Sequence, residues 1–225
     1  TRRVAHLGRL PCHRQLLAQR GDFGFERLDS SVRSPSDIQD FLKIPLIGLL
    51  PEVDVTNKSV RLLAIDEVMP QFTEELRQIR TNVLFSFSGS TARSMVITSA
   101  GPGEGKTVVA SNLAVALAQS GERVLLVDAD LRRPRVHSTF SVSQQPGLTN
   151  VLVGNAKLAR AVHKSAVDNL WILPAGRHPP NPSELLGSQK FKSLLAELCE
   201  EFSWILFDTP PVIAVTDACV LANLS

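Results

Sequence analysis

At 225 residues the chain can enclose one complete hydrophobic core with length to spare, and 44% apolar against 20% charged residues excludes a disordered polymer. A formal net charge of +2 gives no electrostatic reason to expect nucleic acid as a partner. No run approaches the ~18 to 20 apolar residues of a membrane-spanning helix, no secretory leader is visible, and Cys12, Cys199 and Cys219 form no CxxC pair, so the chain reads as soluble, cytosolic and reduced.

Residues 1–27 hold six arginines against two acids without helical or strand period. They read either as a basic arm for a membrane surface or polyanion, or as a poorly ordered terminus. In residues 34–54, SPSDIQDFLKIPLIGLLPEVD, Ser36 can cap a short helix, and LIGLL between Pro45 and Pro51 predicts a buried strand. A polar loop follows over 55–66. From Pro70 to Phe87, Phe72, Leu76, Ile79, Val83 and Phe87 recur at helical spacing and predict an amphipathic helix. Its other side carries Glu74, Arg77 and Arg80 in one stripe, either a solvated face or a binding surface.

Beyond Gly89 strands and helices alternate. SMVITSA (94–100), RVLLVDAD (123–130), NLWILPAG (169–176) and WILFDTPP (204–211) are apolar strands. Between them lie a helix over 107–119 with Val109, Leu113, Ala116 and Leu117 on one face, a short helix over 148–154, and a long helix over 183–202. Another helix begins near Thr216. Cys199 and Cys219 fall in apolar helical patterns and are expected to be core thiols. Continuous apolar strands separated by helices imply a mainly parallel sheet covered on both faces.

In such sheets ligands bind beyond the carboxyl ends of the strands. The first strand runs into AGPGEGKT. Glycines let backbone N–H groups turn toward an anion, the helix N-terminus adds positive potential, Lys106 can bridge phosphates and Thr107 can hold Mg²⁺. The loop Gly101, Pro102, Gly103, Glu104, Gly105, Lys106, Thr107 and Val108 is therefore the expected nucleotide site. Ala100 stands where the G-x-x-x-x-G-K-[ST] pattern has its first glycine. The second strand ends with Asp128 and Asp130, which share one side of an extended strand. Adjacent carboxylates repel unless a cation lies between them. The fourth ends at Asp208, the pattern of an acid that holds Mg²⁺ through water.

GPGEGKT, LLVDADLRRP and ILFDTPP together resemble the three motifs of bacterial tyrosine kinases, the BY-kinases of capsule and exopolysaccharide export, related to the MinD/ParA group of P-loop ATPases. The likeness takes in EELRQIRTNVLFS, GLTNVLVG, LPAGRHPPNPSELL and the upstream linker, and covers roughly residues 28–225. It implies a P-loop fold with ATP and Mg²⁺ as cofactors. Lys106 would stabilise the transferring phosphoryl group, and Asp128 would accept the tyrosine proton. Thr107, Asp130 and Asp208 would organise the metal. Arg132 and Arg133 are left between phosphate contact and exposed salt bridge. The family's E-x-x-R-x-x-R motif falls on Glu74, Arg77 and Arg80, which implies docking against a second copy in a ring. Further implied partners are protein tyrosines and a membrane polysaccharide co-polymerase part or activator, at the inner face of the plasma membrane.

On this resemblance residues 1–27 are an arm, 28–69 a membrane-proximal linker, and 70–225 a P-loop domain expected to be incomplete at its C-terminus. The chain contains no tyrosine, whereas the family's phosphorylated cluster lies in a C-terminal tail. Two other readings stay open: a MinD/ParA-type ATPase switch, and an ATP-binding regulator of polysaccharide chain length without kinase activity. The first usually carries a lysine where Gly101 stands. His137, His163 and His178 lack partners at ligand spacing and are expected to be structural or surface residues.

Overall fold

The computed structural model describes residues 38, 43–52, 69–87 and 93–224. The arginine-rich arm, most of the short helix after Ser36 and the 55–66 loop lie outside the described residues.

Among the described residues the first long element is a helix at Pro70–Ser86 (α1), with proline at the start, where no N–H is needed. Strand β1 follows at Arg93–Ile97, helix α2 at Lys106–Gln119 and strand β2 at Val124–Asp128. Three short helices come next, α3 at Val136–Thr139, α4 at Leu148–Leu152 and α5 at Leu158–Ala161. Strands β3 (His163–Lys164) and β4 (Leu170–Leu173) precede helices α6 (Pro182–Leu186) and α7 (Gln189–Glu201). Strand β5 (Trp204–Asp208) and helix α8 (Asp217–Ala222) complete the series.

The sheet order is β1-β5-β2-β4-β3, parallel except for β3, which pairs antiparallel with β4. Period-2 alternation divides each central strand between two cores. Val124, Leu126, Leu170, Ile172, Trp204 and Leu206 pack with α1 and α2, while Leu125, Val127, Leu173, Ile205 and Phe207 pack with α4, α6, α7 and α8. The sheet covered on both faces is therefore as expected.

Helix α2 is buried all round from Ala110 to Ala118, not along one stripe, and Val109 of the expected face is only half-buried. The cause is its position: it lies between α1 and the sheet, so small side chains face both. Residues 183–202 do not form one helix. Gly187 and Ser188 separate α6 from α7, and the Ser188 hydroxyl accepts the N–H of Phe191 at 3.2 Å as an N-cap. The strands stop at Ile97, Asp128, Leu173 and Asp208, earlier than the apolar runs suggest. Beyond β4, for example, the carbonyls of Pro174 and Ala175 accept from Leu148 and Thr149 of α4 instead of from a strand.

LIGLL is no strand and is not buried: Ile47 and Leu49 are exposed, and the segment has extended coil backbone. Prolines on both sides deny it a ladder. It lies along α1, where the Asn82 side chain donates to the Ile47 carbonyl at 2.7 Å and Gly48 sits against Ile79 with no room for a Cβ. Cys219 is exposed, contrary to its apolar helical pattern, because α8 is short and turns that face to the surface; Cys199 is half-buried.

Candidate nucleotide and metal site

The strand order assembles the site. Because β5 lies between β1 and β2, Ile97 registers with Asp208 and Asp208 with Asp128. The loop after β1 therefore begins one strand away from Asp208 and two strands away from Asp128, although Ile97 and Asp208 are far apart in sequence.

Gly103 and Gly105 have φ of 82° and 85°, in the left-handed region where a Cβ would be strained. Gly105 is the N-cap of α2, so its left-handed turn directs the chain into the helix that begins with Lys106 and Thr107. The dipole of this 14-residue helix points its positive end at the loop.

Four polar groups converge beneath that loop. Lys106 Nζ lies 3.3 Å from Asp130 Oδ2, both largely shielded from water. The second oxygen of Asp130 accepts the N–H of Arg133 at 2.9 Å. The buried Thr107 hydroxyl hydrogen-bonds to the Asp208 carboxyl. Asp208 is 1% exposed and its Oδ1 has no partner. Burial pushes its pKa up to about 7, assisted by the charge of Asp130 and opposed by Thr107 and Lys106.

Asp128 is completely buried. Its Oδ2 accepts the N–H groups of Arg135 and Val136 at 3.1 and 3.0 Å, which satisfies the start of α3. Its Oδ1 has no partner. Burial, then repulsion from Asp208, raises its pKa well above the ordinary carboxylate value, against the pull of the two N–H groups. Two neighbouring strand ends thus each present a buried carboxylate oxygen lacking a hydrogen bond. Such oxygens are costly unless a cation or proton compensates them: the Asp208 oxygen, with the Thr107 hydroxyl and Asp130 nearby, fits Mg²⁺, and the Asp128 oxygen is open to a proton. Among the described residues no three His, Cys, Asp or Glu side chains form a metal cage by themselves. That suits Mg²⁺ on a nucleotide, which takes few protein ligands and completes its shell with phosphate oxygens and water.

The other expected residues divide. Arg132 is committed to Asp217 through a two-pronged salt bridge, Nε at 3.0 Å and Nη2 at 3.2 Å. Arg133 is exposed beside Asp130. In the α1 stripe, Glu74 and Arg77 pair with each other at 3.3 Å on the surface. Arg80 instead turns inward, with Nη1 donating to the Ala116 carbonyl of α2 at 3.4 Å. His178 Nδ1 bonds the Leu131 carbonyl at 2.8 Å, a structural role as expected. Asp217 and Ser183 lie outside the set of residues expected at the site. Asp217 is fully buried and also accepts the Ser183 hydroxyl. Its only sequence trace is an acid in a run otherwise rich in apolar residues, after ILFDTPP.

The AAA domain family matches residues 92–223. The tyrosine-protein kinase YwqD of Bacillus subtilis is 44% identical over 164 residues, covering 73% of this chain and 69% of the relative. The chain belongs to the bacterial tyrosine-kinase family. The solved kinase domain of the Escherichia coli tyrosine kinase ETK superposes on this family member with a TM-score of 0.79 at 31% identity, over 86% of this chain and 80% of that one. A more distant likeness, TM-score 0.51 at 30% identity over 60% of this chain and 55% of the other, is to the septum site-determining protein MinD of Pyrococcus horikoshii, solved with Mg-ADP. The chain spans only 23% to 28% of several longer tyrosine-kinase relatives. No helix among the described residues of this kinase-family chain is long and apolar enough to cross a membrane.

Proposed function

We propose that this chain is an ATP-dependent protein-tyrosine kinase domain that regulates capsular or exopolysaccharide synthesis. The observation that carries this reading is the convergence of Lys106, Thr107, Asp130, Asp208 and Asp128 at adjoining strand ends, with one buried oxygen of Asp208 and one of Asp128 lacking a hydrogen bond. ATP with Mg²⁺ supplies the transferable phosphoryl group and the divalent charge. Around it, the Gly101–Gly105 backbone and the α2 N-terminus bind phosphate oxygens. Lys106 exchanges its contact with Asp130 for the phosphate and stabilises the charge that grows in the transition state. Thr107, Asp208 and Asp130 orient the metal. Asp128 accepts the tyrosine hydroxyl proton at Oδ1, since Oδ2 is held by two backbone N–H groups.

Self-association through the Glu74–Arg77 surface, and attachment to a membrane co-polymerase part or activator at the inner face of the plasma membrane, extend the same reading. The chain has no tyrosine, so the test uses an added acceptor. Incubated with γ-labelled ATP, Mg²⁺ and a glutamate–tyrosine copolymer, the protein should label tyrosine. Release of free phosphate without labelled tyrosine would instead favour the ATPase-switch reading, which the MinD likeness supports.

A further inference from the structure

Three loops frame the site, and they are not tied together equally. The loops after β1 and β5 are joined by backbone and hydroxyl bonds. Thr209 N donates to the Ile97 carbonyl at 3.0 Å, Val212 N to Ser99 at 2.9 Å, and the Thr98 hydroxyl to Pro210 at 2.8 Å. The loop after β2, which carries Asp130, is joined to the loop after β1 by the Lys106–Asp130 ion pair. That ion pair has to open when Lys106 turns to a phosphate. What then remains around Asp130 is the Ala129 N–H donated to the Asp208 carbonyl at 2.8 Å, the bond of His178 Nδ1 to the Leu131 carbonyl at 2.8 Å, and the ion pair between Arg132, two residues beyond Asp130, and Asp217 at the start of α8.

This pair is built to hold a position. Asp217 is completely buried, receives two parallel N–H donors from one guanidinium, and takes a third from Ser183 of α6. A planar fork on a carboxylate fixes direction as well as distance, which a lysine cannot do. We propose that Arg132 and Asp217 form a positioning latch, which keeps Asp130 facing the metal–phosphate site after Lys106 has left it for the nucleotide. This rests on the nucleotide reading given above. Arg132 is thereby a residue that acts on Asp130 from behind, with no contact to phosphate.

The test is a titration of the whole chain with a fluorescent, ribose-labelled ADP, once with Mg²⁺ and once with EDTA. The wild type should bind more tightly with Mg²⁺. Arg132→Met should shrink that Mg²⁺-dependent gain about tenfold, the scale on which residues that orient metal ligands act. Affinity in EDTA should change less than about twofold, since the glycine cradle is untouched. Asp217→Asn should behave alike, and the double variant should lose no more than either alone, because both remove one interaction. If Arg132→Met does not give the wild-type circular dichroism spectrum, Arg132→Lys serves, with an expected loss of about threefold because it keeps charge without the fork. A folded variant with the full Mg²⁺-dependent gain, or equal losses with and without Mg²⁺, overturns the latch. A wild type that binds no nucleotide overturns the underlying site reading as well.

Discussion

The same strands end in opposite ways. At their amino ends, charges are neutralised within the chain: Arg93 lies 5.2 Å over the Trp204 ring and 3.9 Å from Glu122, which also accepts from Ser203. Arg123 covers both Trp171 and Phe202 at 5.3 and 5.9 Å. At the carboxyl ends, Asp128 and Asp208 stand side by side in register, each with a buried oxygen that bonds nothing. One end holds its arginines against rings and an acid of the same chain. The other carries two buried carboxylate oxygens without a partner, at a cost in stability.

Substitutions should therefore separate by end. The largest effect is expected for Lys106→Met, which should lower transfer to tyrosine by at least about 10²-fold while leaving the melting temperature within a few degrees. Near-normal labelling by that variant would remove Lys106 from the mechanism.

Asp208 sharpens the contrast further, because its removal should stabilise the metal-free protein. The folded chain holds this proton to about pH 7, whereas the ordinary value is 3.8. Between those values the native state binds more protons than the unfolded one, so stability falls as pH rises from about 4 to about 7. Denaturant unfolding in EDTA should find Asp208→Asn more stable than wild type at pH 8, the difference closing toward pH 4. Equal stability at both pH values would contradict the buried unpaired carboxylate.

At the amino end the sign reverses. Arg123→Ala should destabilise by about 1 to 2 kcal/mol through loss of two ring contacts, with nucleotide affinity unchanged. The smallest effects belong to α1. Arg80→Ala, which loses its bond to Ala116, should cost about 1 kcal/mol, and Arg77→Ala less than about 0.5. Light scattering would then show whether Arg77→Ala alone lowers the assembled mass, as a surface docking role requires.

Much of this arrangement is legible in the chain itself. Four apolar runs ending in Gly, Asp-x-Asp and Asp mark the parallel sheet and its ligand edge, because burial on both faces leaves no other composition for such strands. LIGLL misleads because an apolar run between prolines has the composition of a strand but no ladder to join. Gly187–Ser188 is hidden because a cap inside a continuous apolar period looks like helix. The Arg132–Asp217 pair is invisible for a different reason: its partners are 85 residues apart and meet only through the strand order. Charge pairing at that distance has no local signature.

The place of β5 has a consequence for how the chain is made. Among the described residues β1 pairs with β5 alone, so the strand that launches the phosphate loop gains that neighbour only when β5, about 110 residues on, is synthesised. Contacts of such long sequence separation form late. A nascent chain halted before Trp204 would hold the whole of GPGEGKT together with Asp128 of β2 and Asp130 just beyond it, and still lack a wall for the site. The proposed nucleotide site would thus take shape only once β5 has joined β1 to β2.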